Sequence, residues 1–359
     1  MAAEVHVVLP PGVDDPRRPS GGNRYDRRLC DGLRLLGRSV VEHRVPGEWP
    51  YAAPEDRARL AALLGTLPRG SRVLVDGLVA SAAPVALVPA AGRLRVVVVL
   101  HLPLGLGEPA AAAAERAVLG AAAAVVTTSR WCREWVLGQV GLDPARVLAV
   151  PPGTDPAALT RPLAPGSRLL CVAAIAPGKG QDLLVAALAE LGDLTWTCRL
   201  VGSTDVDPAF AEGVRARVRE PSLSGRVRLD GTLAEAGLEA AYAGADVLVT
   251  ATRMETYGLV VTEALARGLP VLGTEVGGLP EALGTTELGR PGLLVPPGDA
   301  TALAGALRAW LVDGELRASL RAAAALRRRR LPPWSATARA VARLLDHVPA
   351  PEQPDREPR

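Results

Sequence analysis

The sequence predicts an α/β protein with two doubly wound parallel sheets in tandem. Twelve short apolar runs alternate with longer helix-like segments, six runs in each half of the 359-residue chain. Most of the runs are β-branched and apolar on both faces, which is typical of buried parallel strands covered by helices on both sides. A chain of this length favours about two domains of roughly 150 to 200 residues each.

The runs, taken in order, each have the length and composition of a strand. The first six are "VHVVL" (5–9), "SVVEHRV" (39–45), "RVLVD" (72–76), "RVVVVL" (95–100), "AVVTTS" (124–129) and "RVLAVPP" (146–152). The second six are "RLLCVAAI" (168–175), "TWTCRLVG" (195–202), "RVRLDG" (226–231), "ADVLVTA" (245–251), "PVLGT" (270–274) and "GLLVPPG" (292–298). Six strands on each side of one break predict two separate sheets.

The break between the halves is a predicted linker, "TDPAALTRPLAPGS" (154–167), which is rich in Pro, Ala and Gly. It divides the chain into predicted domains at 1–160 and 166–334. Helices are expected over roughly 299–330 and, after a break at Pro332 and Pro333, from about Ser335. The Pro-rich polar end, 351–359, predicts a disordered tail.

Charge and cysteine content exclude several classes of function. The net charge of +3 gives little reason to expect a nucleic-acid partner. The run Arg327–Arg330 predicts a solvated helix end, with weak contact to anionic lipid headgroups left open. Four scattered cysteines without metal-ligand spacing fit a reducing cytoplasm, and neither a signal peptide nor a membrane span is expected.

Lys179 is the only lysine of the chain, and it lies in "IAPGKGQD" (175–182) between a predicted strand and a helix starting near Gln181. Such a turn presents free backbone N–H groups and the positive end of the helix dipole to a ligand. Lysine adds a compact, mobile ammonium. A diphosphate suits this arrangement, whereas an isolated turn lysine is more often only solvated.

A second segment, "METYGLVVTEALARGLPV" (254–271), places Glu255 in a predicted loop and Glu263 about two turns into a helix. Gly258 lies between them, where backbone N–H groups at the helix start could face an anion. Apolar neighbours leave Glu263 poorly solvated, which favours a role in binding two hydroxyls of a ribose over a role as solvated charge. Glu255 is placed to accept hydrogen bonds from sugar hydroxyls.

These segments, together with "GGNRYDRRLCDGLRLLGRSV" (21–40), "VVTTSRWCREWVLGQVGLDPARVLAVPPGTD" (125–155), "GLPVLGTEVGGLPEALG" (268–284) and "GLLVPPGD", resemble the retaining GT-B glycosyltransferases of family 4. The resemblance covers most of the chain. It implies a GT-B fold, in which two Rossmann-like domains face a central cleft. Residues 1–160, with 335–350 crossing back to them, would bind the acceptor, and 166–334 would bind a nucleotide-sugar donor.

By this resemblance, Lys179 would neutralise the donor diphosphate, Glu263 would bind the ribose and Glu255 would hold the transferred sugar. The resemblance also implies that His101, at the end of the strand 95–100, acts near the donor sugar and the acceptor. A satisfied structural histidine is the alternative. The remaining predicted substrate-binding residues are Gly21 and Gly22 in a loop after the first strand, and Thr256, Tyr257, Gly258 and Leu259.

The chain departs from the family pattern at Ala174, where an arginine directed at the diphosphate usually stands. Arg253, beside Glu255, is a candidate replacement whose direction cannot be read from the sequence. The pair Asp205 and Asp207 could suggest a metal-bound sugar nucleotide, but the following proline favours a turn. No metal and no cofactor are therefore expected.

The predicted reaction is metal-independent transfer of a sugar from a nucleotide diphosphate, UDP- or GDP-linked in the first instance, to an acceptor hydroxyl with retention. The sequence leaves three classes of acceptor open, namely small molecules, glycans and lipids. It does not predict the oligomeric state. The protein is expected in the cytoplasm, with the inner membrane face left open. Alternatives are a sugar phosphorylase, a sugar-nucleotide epimerase, or a binding protein with weakened activity.

Overall fold

The computed structural model describes residues 4–15, 19–160 and 166–350, and it confirms the predicted class. The described residues form two six-stranded sheets, in which every strand pairing is parallel. The predicted disordered tail at 351–359 and part of the predicted linker, 161–165, lie outside the described residues.

The first sheet has the strand order β2-β1-β3-β4-β5-β6, so the chain reverses its direction of progression between β1 and β3. Its strands are β1 (Glu4–Leu9), β2 (Ser39–Arg44), β3 (Arg72–Asp76), β4 (Arg95–Leu100), β5 (Ala124–Thr127) and β6 (Val147–Ala149). The helices between them are α1 (Gly21–Leu35), α2 (Pro54–Thr66), α3 (Gly77–Ser81), α4 (Pro84–Ala91), α5 (Leu104–Gly107), α6 (Ala112–Ala121) and α7 (Arg130–Val140).

The second sheet has the order β12-β11-β10-β7-β8-β9, and its reversal falls between β7 and β10. Its strands are β7 (Arg168–Val172), β8 (Thr197–Val201), β9 (Val227–Gly231), β10 (Val247–Thr250), β11 (Val271–Thr274) and β12 (Gly292–Val295). The helices that follow β7 are α8 (Gln181–Ala189), α9 (Pro208–Val218), α10 (Glu235–Ala243), α11 (Leu259–Ala266), α12 (Leu279–Leu283), α13 (Ala300–Val312), α14 (Gly314–Arg328) and α15 (Trp334–His347).

Several predicted strands are longer than the observed ones at their carboxyl ends. The run 168–175 ends as a strand at Val172, and the run 292–298 ends at Val295. The residues beyond these points are apolar or proline, but they belong to loops at the carboxyl edge of the sheet. Ligands of doubly wound folds bind at this edge, so the loops matter for the site.

The second sheet is buried on both faces, as the apolar character of its strands predicts. One face packs β7 and β8 against α8 and α13, with Leu169, Leu200, Leu184 and Trp310 in one cluster. The other face packs α11 against the sheet in a separate cluster. Because neighbouring residues of a strand point to opposite faces, Leu169 and Leu170 belong to different clusters.

The described chain divides into two compact units. The first contains residues 4–15, 20–153 and 334–350, and the second contains 154–160 and 166–333 together with Pro19. The first unit therefore includes α15, which packs along α1. Gly32 makes this approach possible, since a Cβ atom at that position would lie 2.5 Å from the Cβ atom of Ala338.

The segment 299–330 forms two helices, as predicted, and Asp313 separates them by capping the start of α14, where it accepts from Glu315 and Leu316 N–H at 2.9 Å. The arginine run at its end is largely occupied within the second unit. Arg327 donates to Leu283 O at 3.1 Å and Arg328 to Ala266 O at 2.6 Å. No helix among the described residues has both the length and the apolarity that a bilayer crossing requires.

We expect Gly32→Ala to lower the free energy of unfolding by about 1–3 kcal/mol, because the added methyl group overpacks the contact between α1 and α15. Gly65→Ala in α2 is the matched control: a Cβ atom there meets nothing within 4 Å, and alanine favours the helix. Urea unfolding of both variants checks the prediction. Equal effects of the two substitutions would contradict it.

Candidate active site

The Lys179 turn lies directly after β7, beside the point where the second sheet reverses. Residues Pro177–Lys179 form a single 3₁₀ turn, and Gly180 follows with φ of 67° before α8 begins. A Cβ atom on Gly180 would lie 2.0 Å from Ala251 O in the loop after β10. Only glycine fits, both for its backbone conformation and for this close approach.

The loop after β10 fastens this turn through its backbone. The N–H of Arg253 and the hydroxyl of Thr252 both donate to Gly178 O, at 2.8 Å and 2.9 Å. Two strands that are neighbours at the reversal point thus hold their following loops together. This is the position at which doubly wound sheets bind ligands.

Lys179 and Glu255, which the sequence assigned to separate ligand groups, form an ion pair with Nζ 2.8 Å from Oε2. The charge of Glu255 and its hydrogen bond raise the pKa of Lys179, outweighing the opposing effect of burial. The lysine is therefore a cation, and its side chain keeps 37% of its surface exposed. An anion arriving at the turn meets a charged ammonium.

Arg253 does not replace the missing family arginine in this structure. Its guanidinium makes a two-point contact with Asp182 at 2.8 Å and 2.7 Å, and it also donates to Pro177 O. It is thus a clamp on the Lys179 turn. Ala174 belongs to the same support, since its carbonyl accepts from Gln181 Nε2 at 2.9 Å.

The segment Glu255–Leu259 leads into α11, with Gly258 as the residue before the first helical position and no side chain capping the helix. Thr256 and Tyr257 are buried. Glu263 lies one turn further along α11 than Leu259, half-buried, and Tyr242 donates its hydroxyl to Oε2 at 2.9 Å. The Tyr242 bond fixes the direction of the carboxylate.

In the first unit, His101 lies at the carboxyl end of β4 and contacts two aspartates. Its Nε2 is 2.8 Å from Asp26 Oδ1 and 3.5 Å from Asp76 Oδ2. Gly22 lies against the ring, since a Cβ atom on it would be 3.1 Å from His101 Cδ2. Asp26 comes from α1 and Asp76 from the end of β3, so the group gathers where the first sheet reverses.

Gly21 and Gly22 are not in a loop, as the sequence predicted, but form the first turn of α1. The reason is local. The Ser20 hydroxyl accepts from the Asn23 N–H at 3.0 Å and caps α1, so that the helix begins at Gly21. The glycines therefore place the start of a helix against His101.

Burial and neighbouring charge shift the ionisation of this group. Burial and the charge of Asp26 raise the pKa of Asp76 to about 7, against an opposing effect of His101. Burial lowers the pKa of His101, but the charge and hydrogen bond of Asp26 and the charge of Asp76 together raise it above its ordinary value.

Among the described residues, Asp26, Asp76 and His101 are also the one group close enough to suggest a metal ion. The Nε2–Oδ1 distance of 2.8 Å is that of a direct hydrogen bond between the ring nitrogen and the carboxyl group. Asp207 caps α9 by accepting from the Phe210 N–H at 2.9 Å, which agrees with the turn predicted around Asp205 and Asp207.

Comparison with known proteins identifies the family. The model described as Glycosyltransferase Family 4 matches residues 2–158, and that described as Glycosyl transferases group 1 matches 166–313. A D-inositol 3-phosphate glycosyltransferase of Catenulispora acidiphila is 31% identical over 339 residues, covering 82% of this chain and 77% of that relative. The chain belongs to glycosyltransferase family 4.

Further relatives support the family assignment and the fold. A D-inositol 3-phosphate glycosyltransferase of Kineococcus radiotolerans is 36% identical over 255 residues, which is 63% of this chain and 58% of that protein. This chain thus spans little more than half the length of that relative. Sucrose-phosphate synthase from Thermosynechococcus elongatus superimposes with a TM-score of 0.78 and 23% identity over 96% of this chain and 98% of that one. Anabaena HepE in complex with UDP-glucose gives 0.76 and 17% identity over 96% and 99%.

Four residues that contact or support the candidate groups were not predicted from the sequence: Asp26, Asp76 and Glu115 in the first unit, and Tyr242 in the second. Asp76 ends the predicted strand 72–76, so the rule that selected His101 could have found it. Glu115 is buried and accepts from Ser81 Oγ, Leu104 N and Gly105 N at 2.8, 2.8 and 3.0 Å, which holds the loop after His101. No sequence signal distinguishes Asp26, Glu115 or Tyr242 from ordinary helix residues.

We expect the free energy of unfolding to fall as pH rises from about 4 to 7, by an Asp76 contribution on the order of 3 kcal/mol. The pKa of Asp76 rises on folding from 3.8 to about 7, so the folded protein holds this proton more tightly. The stabilisation is complete below the lower pKa and is lost as pH passes the higher one. Asp76→Asn keeps the oxygen that caps α3 but cannot ionise.

Urea unfolding of the wild type and of Asp76→Asn at a series of pH values measures this contribution as the difference between the two curves. The variant should show a flatter curve in this range. Parallel curves would show that the Asp76 carboxyl is not protonated by folding.

Proposed function

We propose that the protein is a retaining glycosyltransferase that moves a sugar from a nucleotide diphosphate sugar to an acceptor hydroxyl without a metal ion. The observation that carries the proposal is the Lys179 ammonium, held at the reversal point of the second sheet beside the starts of α8 and α11. Transfer places negative charge on the departing diphosphate. A fixed ammonium and helix-start N–H groups stabilise such charge where it develops.

In this proposal, Glu255 keeps Lys179 in place until a diphosphate binds. While no diphosphate is bound, the carboxylate compensates the ammonium at 2.8 Å. A bound diphosphate would take over the ammonium and release Glu255 to accept hydrogen bonds from sugar hydroxyls. The same pair thus serves the two roles that the family resemblance implies for Lys179 and Glu255.

Glu263 is proposed to bind the ribose of the donor. Its Oε2 already accepts from Tyr242, whose ring is covered by the Arg267 guanidinium at 4.4 Å. Arg267 also donates to Glu263 O at 2.7 Å. A carboxylate held in a fixed direction by this support can accept hydrogen bonds from both hydroxyls of a ribose without reorganising.

In the proposed transfer step, the acceptor attacks the donor sugar directly, and no side chain of the enzyme acts as a nucleophile. The acceptor oxygen forms its bond to the anomeric carbon on the face from which the diphosphate leaves. The electron pair of the broken C–O bond goes to the diphosphate, and the acceptor proton passes to a diphosphate oxygen. The anomeric configuration is therefore retained.

The names of the relatives suggest which substrates to test first. Two of them are D-inositol 3-phosphate glycosyltransferases, and HepE of the same fold was solved with UDP-glucose. We propose a UDP- or GDP-sugar donor and D-inositol 3-phosphate as the first acceptor candidate. The four cysteines are free and buried, which supports a cytoplasmic location.

A thermal-shift screen with UDP-, GDP-, ADP- and dTDP-sugars tests donor binding, because a ligand of the folded state raises Tm. Turnover with the bound donor is then measured with D-inositol 3-phosphate, with and without EDTA, and the anomeric configuration of the product is read by NMR. Release of sugar phosphate from glycoside and inorganic phosphate would instead indicate a phosphorylase. Donor binding without turnover on any acceptor would indicate a binding protein.

Lys179→Ala should lower kcat by roughly 10²-fold or more, as expected for a lost charge contact to the leaving group. Arg308→Ala is the control, because it removes an exposed cation of the same unit that pairs with Asp193 at 2.7 Å. Steady-state kinetics of both variants give the comparison. A rate near that of the wild type in Lys179→Ala would remove the diphosphate assignment.

Glu263→Ala should mainly raise the donor KM, by roughly 10- to 100-fold, because it removes charged hydrogen bonds made equally in the ground and transition states. Tyr242→Phe should raise KM less, by about fivefold, since it only releases the carboxylate from one bond. Steady-state titration with the donor ranks the wild type, Tyr242→Phe and Glu263→Ala by their donor KM. An unchanged donor KM in Glu263→Ala would contradict the ribose role.

A further inference from the structure

The cluster in the first unit fixes which nitrogen of His101 carries a proton. Its Nε2 faces the carboxyl groups of Asp26 and Asp76, at 2.8 Å and 3.5 Å. A lone pair on Nε2 would face the carboxylate oxygen of Asp26 at 2.8 Å, so we assign a proton to Nε2. The two aspartate side chains are each 3% exposed and that of His101 is 12% exposed, so water does little to screen the group.

The two carboxyl groups also require a proton between them. Asp76 Oδ1 is committed to the N–H groups of Leu78 and Val79 at 2.8 Å and 3.3 Å. Asp26 Oδ2 is buried without a conventional donor among the described residues. A proton on Asp76 supplies a hydrogen bond between the two carboxyl groups and prevents two buried negative charges from facing each other.

Neutrality then decides the charge of the imidazole. Burying net charge is costly, so a cluster with one carboxylate and one carboxylic acid is most stable with an imidazolium. The titratable groups in contact with His101 include Asp26 and Tyr25 from α1 and Asp76 from β3. Tyr25 stays neutral, since burial raises its pKa and its hydroxyl donates to Val150 O at 3.0 Å.

We propose that Asp26 and Asp76 are positioning residues that hold His101 as a cation. His101 would then stabilise negative charge and would not act as a general base. This inference rests on the proposed function, in which the departing diphosphate takes the acceptor proton. It assigns His101 the role of a fixed positive charge beside the first turn of α1. Asp26 supplies the compensating charge, and Asp76 supplies the proton that keeps the cluster neutral.

The wild-type protein itself provides the first test. The chain has only four histidines, so the imidazole C–H signals can be resolved by NMR and followed against pH. We expect the His101 signal to titrate above the ordinary histidine pKa of about 6.5. Titration at or below that value would overturn the proposal, whatever the enzymatic activity.

Asp26→Asn provides the second test, with Asp31→Asn as the matched control. Asp31 lies in the same helix with an exposed side chain that pairs with Arg34 at 3.4 Å, so the control makes the same change in net charge. Asp26→Asn should lower the pKa of His101 below that of the wild type, because burial persists while the compensating charge is lost. Asp31→Asn should leave it in place.

The pH dependence of kcat/KM separates a cation from a base. A cation predicts that activity falls as pH rises through the pKa of His101, and that Asp26→Asn moves this fall to lower pH. The variant should then lose roughly 10- to 100-fold at pH 8 and less at pH 6. If His101 acted as a general base, kcat/KM would instead rise as pH rises through the pKa of His101. That result would overturn the proposal.

Two further measurements keep the result interpretable. If Asp26→Asn does not fold, the wild-type titration still decides the charge of His101. Zn²⁺ and Mn²⁺ are added separately to chelator-treated protein: unchanged His101 signals support the proton-filled cluster, and a stoichiometric change would make it a metal site. A failure of donor binding would remove the proposed function, but it would leave the NMR titration valid.

Discussion

The arrangement of the proposed donor site depends on one close backbone contact, the approach of Gly180 to Ala251 O at the reversal point of the second sheet. It brings the loop after β7 against the loop after β10 and leaves no room for a side chain between them. Thr252 and Arg253 then close the contact through Gly178 O. The turn that carries Lys179 is thus hydrogen-bonded to the loop that leads to Glu255.

The proposed function gives a reason for a single lysine in an arginine-rich chain. Several arginines of the second unit make two-point contacts with carboxylates or carbonyl groups, as Arg253 does with Asp182 and Arg328 does with backbone carbonyls. A planar guanidinium suits such clamps. An ammonium on a flexible stem suits the proposed exchange of partners, from Glu255 to a donor diphosphate.

The fold and the donor loops were predictable from the sequence because they depend on short-range patterns. Apolar strands, the glycine turn around Lys179 and the helix start at Gly258 each follow from neighbouring residues. The Asp26–Asp76–His101 cluster was not predictable as a unit, since its members come from α1, β3 and β4 and meet only through the strand order. The position of Arg253 was left open because it depends on a contact with Asp182. The position of Gly21 was predicted wrongly because it depends on the Ser20 cap of α1.

The return of α15 to the first unit has a consequence for biosynthesis. Among the described residues, nearly all of the second unit lies between 154 and 333, whereas the first unit lacks its α15 cover until residues 334–347 have been made. The ribosome makes α15 after the second unit, although N-terminal domains usually fold first during translation. Here the unit that is begun first is completed last. A nascent chain therefore carries the second unit while the surface of α1 around Gly32 is still uncovered by α15.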